Sequence, residues 1–548
     1  MRYKSLLLIL VLFLIFLPTR MSLDYPITLS EVKEAYTSYS IIKIGKDTNG
    51  EPPGIFFQAD NDYLSTLGVY LRIPFIYILG LNNSSVRLPG ILIGLLTLYV
   101  FYTLARLLLP KNISIISTLL LGFSPYLIQI NIFNFGGTLT LLNFLLAFYF
   151  YRKKNTFTFL LFCVLAGLSS LSALPAILVL VISYYYVNGE KRKVYYCVTT
   201  ALIIFAVLLK TNPQLGNFLV RESIVRDLLP SSYTFEIDRR LSFGQIISSP
   251  LITPKFNYNR LAFNKAYFGL TEFLKELIRP FDYEILTSSF QAQTILAKER
   301  IDSVALPKVF FWEAPLIILG VIIFLKLKYK NLKILFLAVA ASLGIFKESS
   351  FYLALPIIVW LNSLTLDYLL QIRRTTLGRV VLVILVLLFL GSYSDFIYRL
   401  RTQKYSWGEP NDVAQYQIWN FINKEGVDKG RTVVTDRLGD PAFYYLFYKR
   451  IDPYFFQQNK ILSQTLIAGR TRILKVGEVE FRSFKYYDSP KGENEIWVGL
   501  PGEFVGEKKD FSTIEHVPSG QIVGKIRSVK QASKLFGDEL WFVTPNSE

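Results

Sequence analysis

Carboxylates crowd one stretch of this chain. Between Leu23 and Arg87 stand Asp24, Glu31, Glu34, Asp47, Glu51, Asp60 and Asp62. Glu31 and Glu34 are three residues apart, so a helix would put them on one face. Such a pair can supply a general base, or a base beside a metal-binding neighbour. The same spacing also suits a plain helix start, with Thr28 or Ser30 as the cap and acids at the positive helix end. Asp60 and Asp62 pose the same choice, between chemistry and a turn ahead of the next helix. Much other chemistry is excluded. His516 is the only histidine and lies near the C-terminus, so a histidine base, a Ser-His-Asp triad and histidine-held zinc are ruled out in the rest of the chain. Cys163 and Cys197 lie in or beside apolar runs, which gives no disulfide framework and no thiolate metal site. No Walker, dinucleotide or zinc motif is present, and nothing points to nucleic acid. Catalysis would therefore use carboxylates, hydroxyls, Lys or Arg. Arg221, Arg226, Lys265 and Arg300 could clamp a phosphate. Each could equally be snorkelling toward lipid headgroups.

The elements that must position these groups are membrane-embedded. The chain has 548 residues, 52% of them hydrophobic. Apolar runs of about 18 residues or more mark membrane-spanning helices, because only a closed hydrogen-bonded backbone crosses lipid. Hydropathy places an uncleaved first span in 1–18. Further spans follow at 88–109, 113–130, 134–151, 156–171, 173–188, 194–210, 307–325, 332–346, 350–368 and 378–394, about eleven in all. Basic clusters alternate with them: Arg106 and Lys111, Arg152 to Lys154, Lys191 to Lys193, Lys326 to Lys330, then Arg373, Arg374 and Arg379. By the positive-inside rule these loops and the N-terminus face the cytoplasm, and the C-terminal part lies outside. The net charge of +18 fits that rule, and it also fits attraction to anionic lipid or lipid phosphate.

Two long loops, 21–87 and 211–305, are then extracytoplasmic. Within the first, 64–80 is apolar but short and holds Arg72 and Pro74. It suits a helix in the membrane interface better than a span. Residues 263–281 of the second loop have helical apolar spacing. The chain changes character near 398. Residues 411–425 and 440–450 read as helices, and 431–436, 478–487, 495–500 and 521–529 as strands. The expected organisation is an α-helical membrane domain, 1–397, with a small extracytoplasmic α/β domain, 398–548.

The order of these parts resembles the GT-C superfamily of polytopic glycosyltransferases, and is similar to bacterial relatives of protein mannosyltransferases and lipid A aminoarabinose transferases. The motifs that carry the resemblance are Ser30-Glu31 ahead of Tyr36 to Ser40 and Gly45-Lys46-Asp47, Asn61-Asp62-Tyr63, and Val86 to Gly90. Ser124-Pro125-Tyr126 with Gln129, Asn264-Lys265, Glu313 with Pro315, and the tail segments 478–488, 497–504 and 518–526 follow. The resemblance implies transfer of a sugar from a polyprenyl-phosphate donor to a lipid, glycan or protein acceptor, in a multi-pass protein of the cell membrane. It implies a first-loop carboxylate as base, Glu31 first, with Asp62, Glu34 and Asp24 behind it. Tyr63 and the four loop cations would bind substrate, and a divalent metal, if used, would sit on Glu31 and Asp62. The sequence departs from the pattern at Ser30, Ile132 and Gly136, where the family carries Asp, Arg and Glu. These departures motivate an alternative: a non-catalytic relative that binds lipid or glycan in cell-envelope assembly. A transporter fits less well, because charged residues inside the spans are scarce.

Overall fold

The computed structural model describes residues 27–55, 57–59, 62–187, 308–326, 336, 338–339, 347–372, 375–402, 415–416, 418–419, 432–436, 440–464, 471–482, 496–499, 511–514 and 540–543. Helix α1, Leu29–Ile44, opens the described part. A two-stranded antiparallel ribbon follows, β1 Phe57–Ala59 with β2 Asp62–Leu64. Next come α2 (Thr66–Leu79) and α3 (Asn83–Leu108). The frame continues through α4 (Lys111–Phe123), α5 (Pro125–Phe133), α6 (Phe135–Lys153), α7 (Thr156–Ser169) and α8 (Leu174–Val187). It resumes with α9 (Glu313–Lys326), α10 (Leu355–Ile372) and α11 (Thr376–Thr402).

Among the described residues three helices are long and apolar enough to cross a membrane, at Asn83–Leu108, Phe351–Gln371 and Gly378–Tyr398. The segment expected as one span at 113–130 is a pair of helices, Ile113–Phe123 and Pro125–Ile132, bent by 52°. The bend falls at Ser124-Pro125, where proline disfavours helical geometry in the residue before it. Segments 1–18 and 194–210 lie outside the described residues, as does nearly all of 332–346. The multi-pass membrane character stands on these helices. The last of them turns Val380, Val383, Ile384, Val386, Leu387 and Leu390 outward, as a lipid-facing helix should.

Small and polar side chains tie the frame together. Ser117 Oγ donates to Ser363 Oγ at 2.7 Å, and Thr365 Oγ1 donates to the Leu316 carbonyl at 2.7 Å. Such bonds join helices where burial of apolar surface gives no preference between lipid and protein. A Cβ placed on Gly320 would collide with the Leu361 backbone, so the α9–α10 crossing depends on this glycine. Glu313 accepts from Asn362 Nδ2 at 2.5 Å and from the Phe310 amide at 3.2 Å. Both of its oxygens are thus committed to holding α9.

The C-terminal residues supply α12 (Pro441–Tyr448), α13 (Pro453–Asn459) and a mixed seven-stranded sheet. Its strands are β3 Thr432–Val434, β4 Lys460–Gln464, β5 Thr471–Val476, β6 Val479–Phe481, β7 Ile496–Gly499, β8 Phe511–Ile514 and β9 Leu540–Val543. The order is β4-β5-β6-β3-β7-β9-β8, with β3 parallel to both neighbours and the other pairs antiparallel. Strands expected at 431–436, 478–487 and 495–500 contain β3, β6 and β7. The one expected at 521–529 lies outside the described residues.

This sheet does not stand apart from the first loop. Val32, Ala35, Tyr36, Phe57, Val69 and Val86 share one apolar core with Trp419, Val434, Phe443, Leu446, Phe456 and Val476. Helix α1 is the centre of that core. Tyr36 Oη donates to the Ile451 carbonyl at 3.0 Å, and Gln457 Nε2 donates to the Thr48 carbonyl at 2.8 Å. Lys33 pairs with Asp440 at 3.3 Å and lies 5.2 Å from the Phe443 ring.

Candidate active site

Thr28 starts α1 and sets the geometry of its first turn. The Glu31 amide donates to Thr28 Oγ1 at 3.3 Å, and Glu31 Oε2 accepts from the Thr28 amide at 3.1 Å, a reciprocal capping box. Thr28, and not Ser30, is therefore the cap. Ser30 is exposed on the same turn. Glu31 and Glu34 follow one helical turn apart, and both are buried.

Two buried carboxylates so close need cations, because an unpaired charge out of water is costly. Two arginines supply them. Arg72 of α2, fully buried, pairs through Nη1 with Glu34 Oε2. Its Nε donates to the Val86 carbonyl at 3.4 Å, and its guanidinium lies 4.5 Å from the Phe135 ring centre of α6. Arg87, in the second turn of α3, comes within 3.8 Å of Glu31 Oε2. Burial pushes the Arg72 guanidinium down to about 10, and the Glu31 charge opposes that shift. Arg72 still carries its charge at neutral pH.

The two glutamates are not equivalent. Glu34 Oε1 accepts from the Ser65 amide at 3.3 Å, while Oε2 holds Arg72. Both oxygens are used, so Glu34 clamps α1 to α2. Glu31 concentrates its contacts on Oε2, which takes the Thr28 amide, the Thr28 hydroxyl and Arg87. Its Oε1 accepts no hydrogen bond among the described residues. Glu31 thus keeps a lone pair for a proton while its charge is held in place.

The other candidate positions fall as follows. Asp62 and Tyr63 lie in β2, opposite Ala59 and Gln58 of β1, and their side chains are outside the described set. Asp24, Arg221, Arg226, Lys265 and Arg300 lie outside the described residues altogether. Asp47 forms a turn: its Oδ1 accepts from the Asn49 and Glu51 amides, each at 2.9 Å. Arg72 and Arg87 are the groups that sequence reasoning missed as partners. A signal existed for both, since each is a charge inside an apolar or helix-opening stretch, where an ionisable residue needs a partner.

Ile132 and Gly136, where the family pattern carries Arg and Glu, belong to packing. Ile132 is buried among Phe310, Trp312, Leu316 and Phe396. Gly136 sits where a Cβ would come within 3.3 Å of Ser65 Cβ and of the Ser169 carbonyl. A longer side chain there would push α2 off α6. Among the described residues no three His, Cys, Asp or Glu side chains are grouped to hold a metal ion. Glu34 has both oxygens engaged; of the Glu31 and Asp62 pair expected to hold a divalent ion, the Asp62 side chain lies outside the described set.

Residues 67–209 match the family model described as dolichyl-phosphate-mannose-protein mannosyltransferase. The chain resembles the GT-C glycosyltransferases. The matched region carries Arg72, Arg87, the Ser124-Pro125 break and Gly136, and it begins after Glu31 and Glu34. No curated protein sequence matches the chain. Among solved structures, the archaeal oligosaccharyltransferase AglB from Archaeoglobus fulgidus, with an inhibitory peptide and a dolichol-phosphate, is 13% identical at a TM-score of 0.41. The alignment covers 82% of this chain and 64% of that one, so the chain spans just under two thirds of that relative's length. ArnT from Cupriavidus metallidurans in the apo state is 13% identical at a TM-score of 0.38, covering 82% of this chain and 84% of that one. The same protein bound to undecaprenyl phosphate is 12% identical at 0.37, with coverage of 81% and 84%.

Proposed function

We propose that this protein is a membrane glycosyltransferase that moves a sugar from a polyprenyl-phosphate-linked donor to an extracytoplasmic lipid, glycan or protein acceptor. The observation that carries the reading is the asymmetry of the two glutamates. Glu34 has both oxygens committed, whereas Glu31 has one oxygen anchored and one open. That is the arrangement of a general base. Glu31 Oε1 would take the proton of the acceptor group as that group attacks the anomeric carbon. The bond from that carbon to the donor phosphate breaks, and its electron pair leaves with the polyprenyl phosphate. The leaving phosphate needs nearby positive charge, and Arg87 stands beside Glu31 as the described cation of that kind. Asp62, Asp24 and the loop cations Arg221, Arg226, Lys265 and Arg300 remain candidates for the rest of the site, with Tyr63 against the sugar. The match to a family named for a dolichyl-phosphate-mannose enzyme supports the donor class. In this reading 1–397 is the membrane domain and 398–548 an extracytoplasmic domain, with the N-terminus in the cytoplasm.

A second reading has its own observation. Ile132 and Gly136 are built into helix packing, as expected of a relative that has given up chemistry for binding or scaffolding. Transfer assays of the purified full chain, in lipid nanodiscs with a panel of lipid-linked sugars, decide between them. Turnover by the native protein that falls about 10²–10⁴-fold in Glu31→Gln supports the transferase. No turnover with any donor supports the scaffold.

A further inference from the structure

The tail reaches the Glu31–Arg87 pair as the membrane helices do. Helix α12 ends at Tyr448. Behind it, the ring stacks on Tyr444 with centroids 6.3 Å apart and meets Tyr416 edge-on at 5.9 Å. In front, the residue borders Asn82, Asn83 and Ser84 at the opening of α3, the turn ahead of Arg87. It also packs on the apolar core that holds Ile27 and Val86, the residues before Thr28 and Arg87. The hydroxyl oxygen is buried. The Arg87 guanidinium, the Ile27 amide and the Glu31 carboxylate all act on it. The end of α12 is itself fixed by a Schellman turn: the Ile451 amide donates to the Leu446 carbonyl at 3.0 Å, and the Arg450 amide to the Phe447 carbonyl at 3.1 Å. Tyr36 of α1 donates to the adjoining Ile451 carbonyl. At the other end of α12, Asp440 holds Lys33 of α1. Two ties therefore keep α1 and α12 in register around Tyr448.

Chemistry gives the hydroxyl a part to play there. Burial pushes the phenol up, with Tyr416 and Glu31 adding to the shift and Arg87 and the Ile27 amide opposing it. The group therefore stays protonated and does not compete with Glu31 for a proton. A neutral phenol can lend its oxygen to an amide or a guanidinium and its proton to a carboxylate. Inside a protein such a dipole acts more strongly than in water. The ion pair leaves room for that help. Arg87 Nη2 stands 3.8 Å from Glu31 Oε2, too far for a hydrogen bond. That contact supplies charge without fixing a direction.

We propose that Tyr448 is a positioning residue: carried on the tail, its hydroxyl holds Arg87 and the foot of α1 in register, so that Glu31 keeps its open oxygen toward the acceptor. The inference rests on the reading of Glu31 as the base, and it makes the tail a working part of that site. Tyr448→Phe removes the hydroxyl and keeps the ring against Tyr444 and Tyr416, so the fold should survive. Two readouts on the full chain in nanodiscs test the proposal. The first needs no turnover: unfolding midpoints of the native protein, Tyr448→Phe, Glu31→Gln and the double variant. A hydroxyl that acts on the pair makes the two shifts non-additive, whereas additive shifts overturn the proposal. The second is sugar transfer from a lipid-linked donor that the native protein turns over. In Tyr448→Phe, kcat should fall about tenfold or more, because small displacements of a reacting group are costly, while KM stays within about twofold. Native kcat in Tyr448→Phe, or a loss confined to KM, overturns the proposal. Absence of turnover in the native protein itself overturns the transferase reading instead, and the midpoints then still decide whether Tyr448 acts on the pair.

Discussion

Arg72→Met tests the charge clamp under the proposed active site. Arg72 is fully buried and Glu34 is 5% exposed. Methionine removes the cation while keeping much of the side chain's length. Among the described residues the Glu34 carboxylate is then left with the Ser65 amide as its donor. Breaking a buried pair from one side costs about 3–5 kcal/mol. Loss of the stack on Phe135 adds about 1 kcal/mol. The single variant should therefore lose about 4–6 kcal/mol. Glu34→Gln should also destabilise, because it strands the Arg72 charge. The double variant, Glu34→Gln with Arg72→Met, buries no charge at this position and should recover most of the loss. Detergent-titration unfolding in mixed micelles gives the four corners of the cycle. The expected coupling is about 3 kcal/mol or more. A single variant within about 1 kcal/mol of the native protein, or additive losses in the double, would refute the clamp.

Further outcomes follow from other parts of the structure. Gly320→Ala places a methyl group against the Leu361 backbone; it should force α9 and α10 apart at a cost of about 1–3 kcal/mol, read in the same unfolding assay. Asp47→Asn probes pH. Burial raises the Asp47 carboxyl above its ordinary 3.8, against the pull of the Glu51, Asn49 and Gly50 amides. A raised carboxyl favours the folded state when protonated, and that contribution is lost as pH climbs from 3.8 through the higher folded value. Asparagine keeps the Oδ1 acceptor without the charge, so the native midpoint should drop relative to the variant over that rise. A native midpoint that stays level with the variant's, or rises against it, over that range would contradict this.

Much of the frame was legible because membrane helices announce themselves by composition. The span expected at 88–109 is the body of α3, Asn83–Leu108. Hydropathy alone missed its polar opening from Asn83 to Arg87, since it discounts the very residues that cap the helix and reach Glu31, although Val86 to Gly90 stood out as a motif. Bending at Ser124-Pro125 shows the converse: apolar content is continuous there, and the break comes from proline geometry. At the site, the spacing of Glu31 and Glu34 exposed their shared helix face. Their partners Arg72 and Arg87 come from separate helices, and pairings of that kind arise only when α1, α2 and α3 pack. The same holds for the core shared by the first loop and the tail. Alternation in 431–436 or 440–450 shows that a face is apolar, but Tyr36 and Phe57 as its partners are a tertiary fact. Gly136, which reads as a missing acid, marks the place where Ser65 closes on α6.

The central claim is that Glu31 does chemistry while Glu34 holds structure. Its most direct test is the turnover number for sugar transfer from a lipid-linked donor, measured in nanodiscs for Glu31→Gln and for the Glu34→Gln, Arg72→Met pair. The account predicts a fall of about 10²–10⁴-fold in the first and turnover close to native in the second. Native turnover in Glu31→Gln, or its loss in the stable double variant alone, would contradict it.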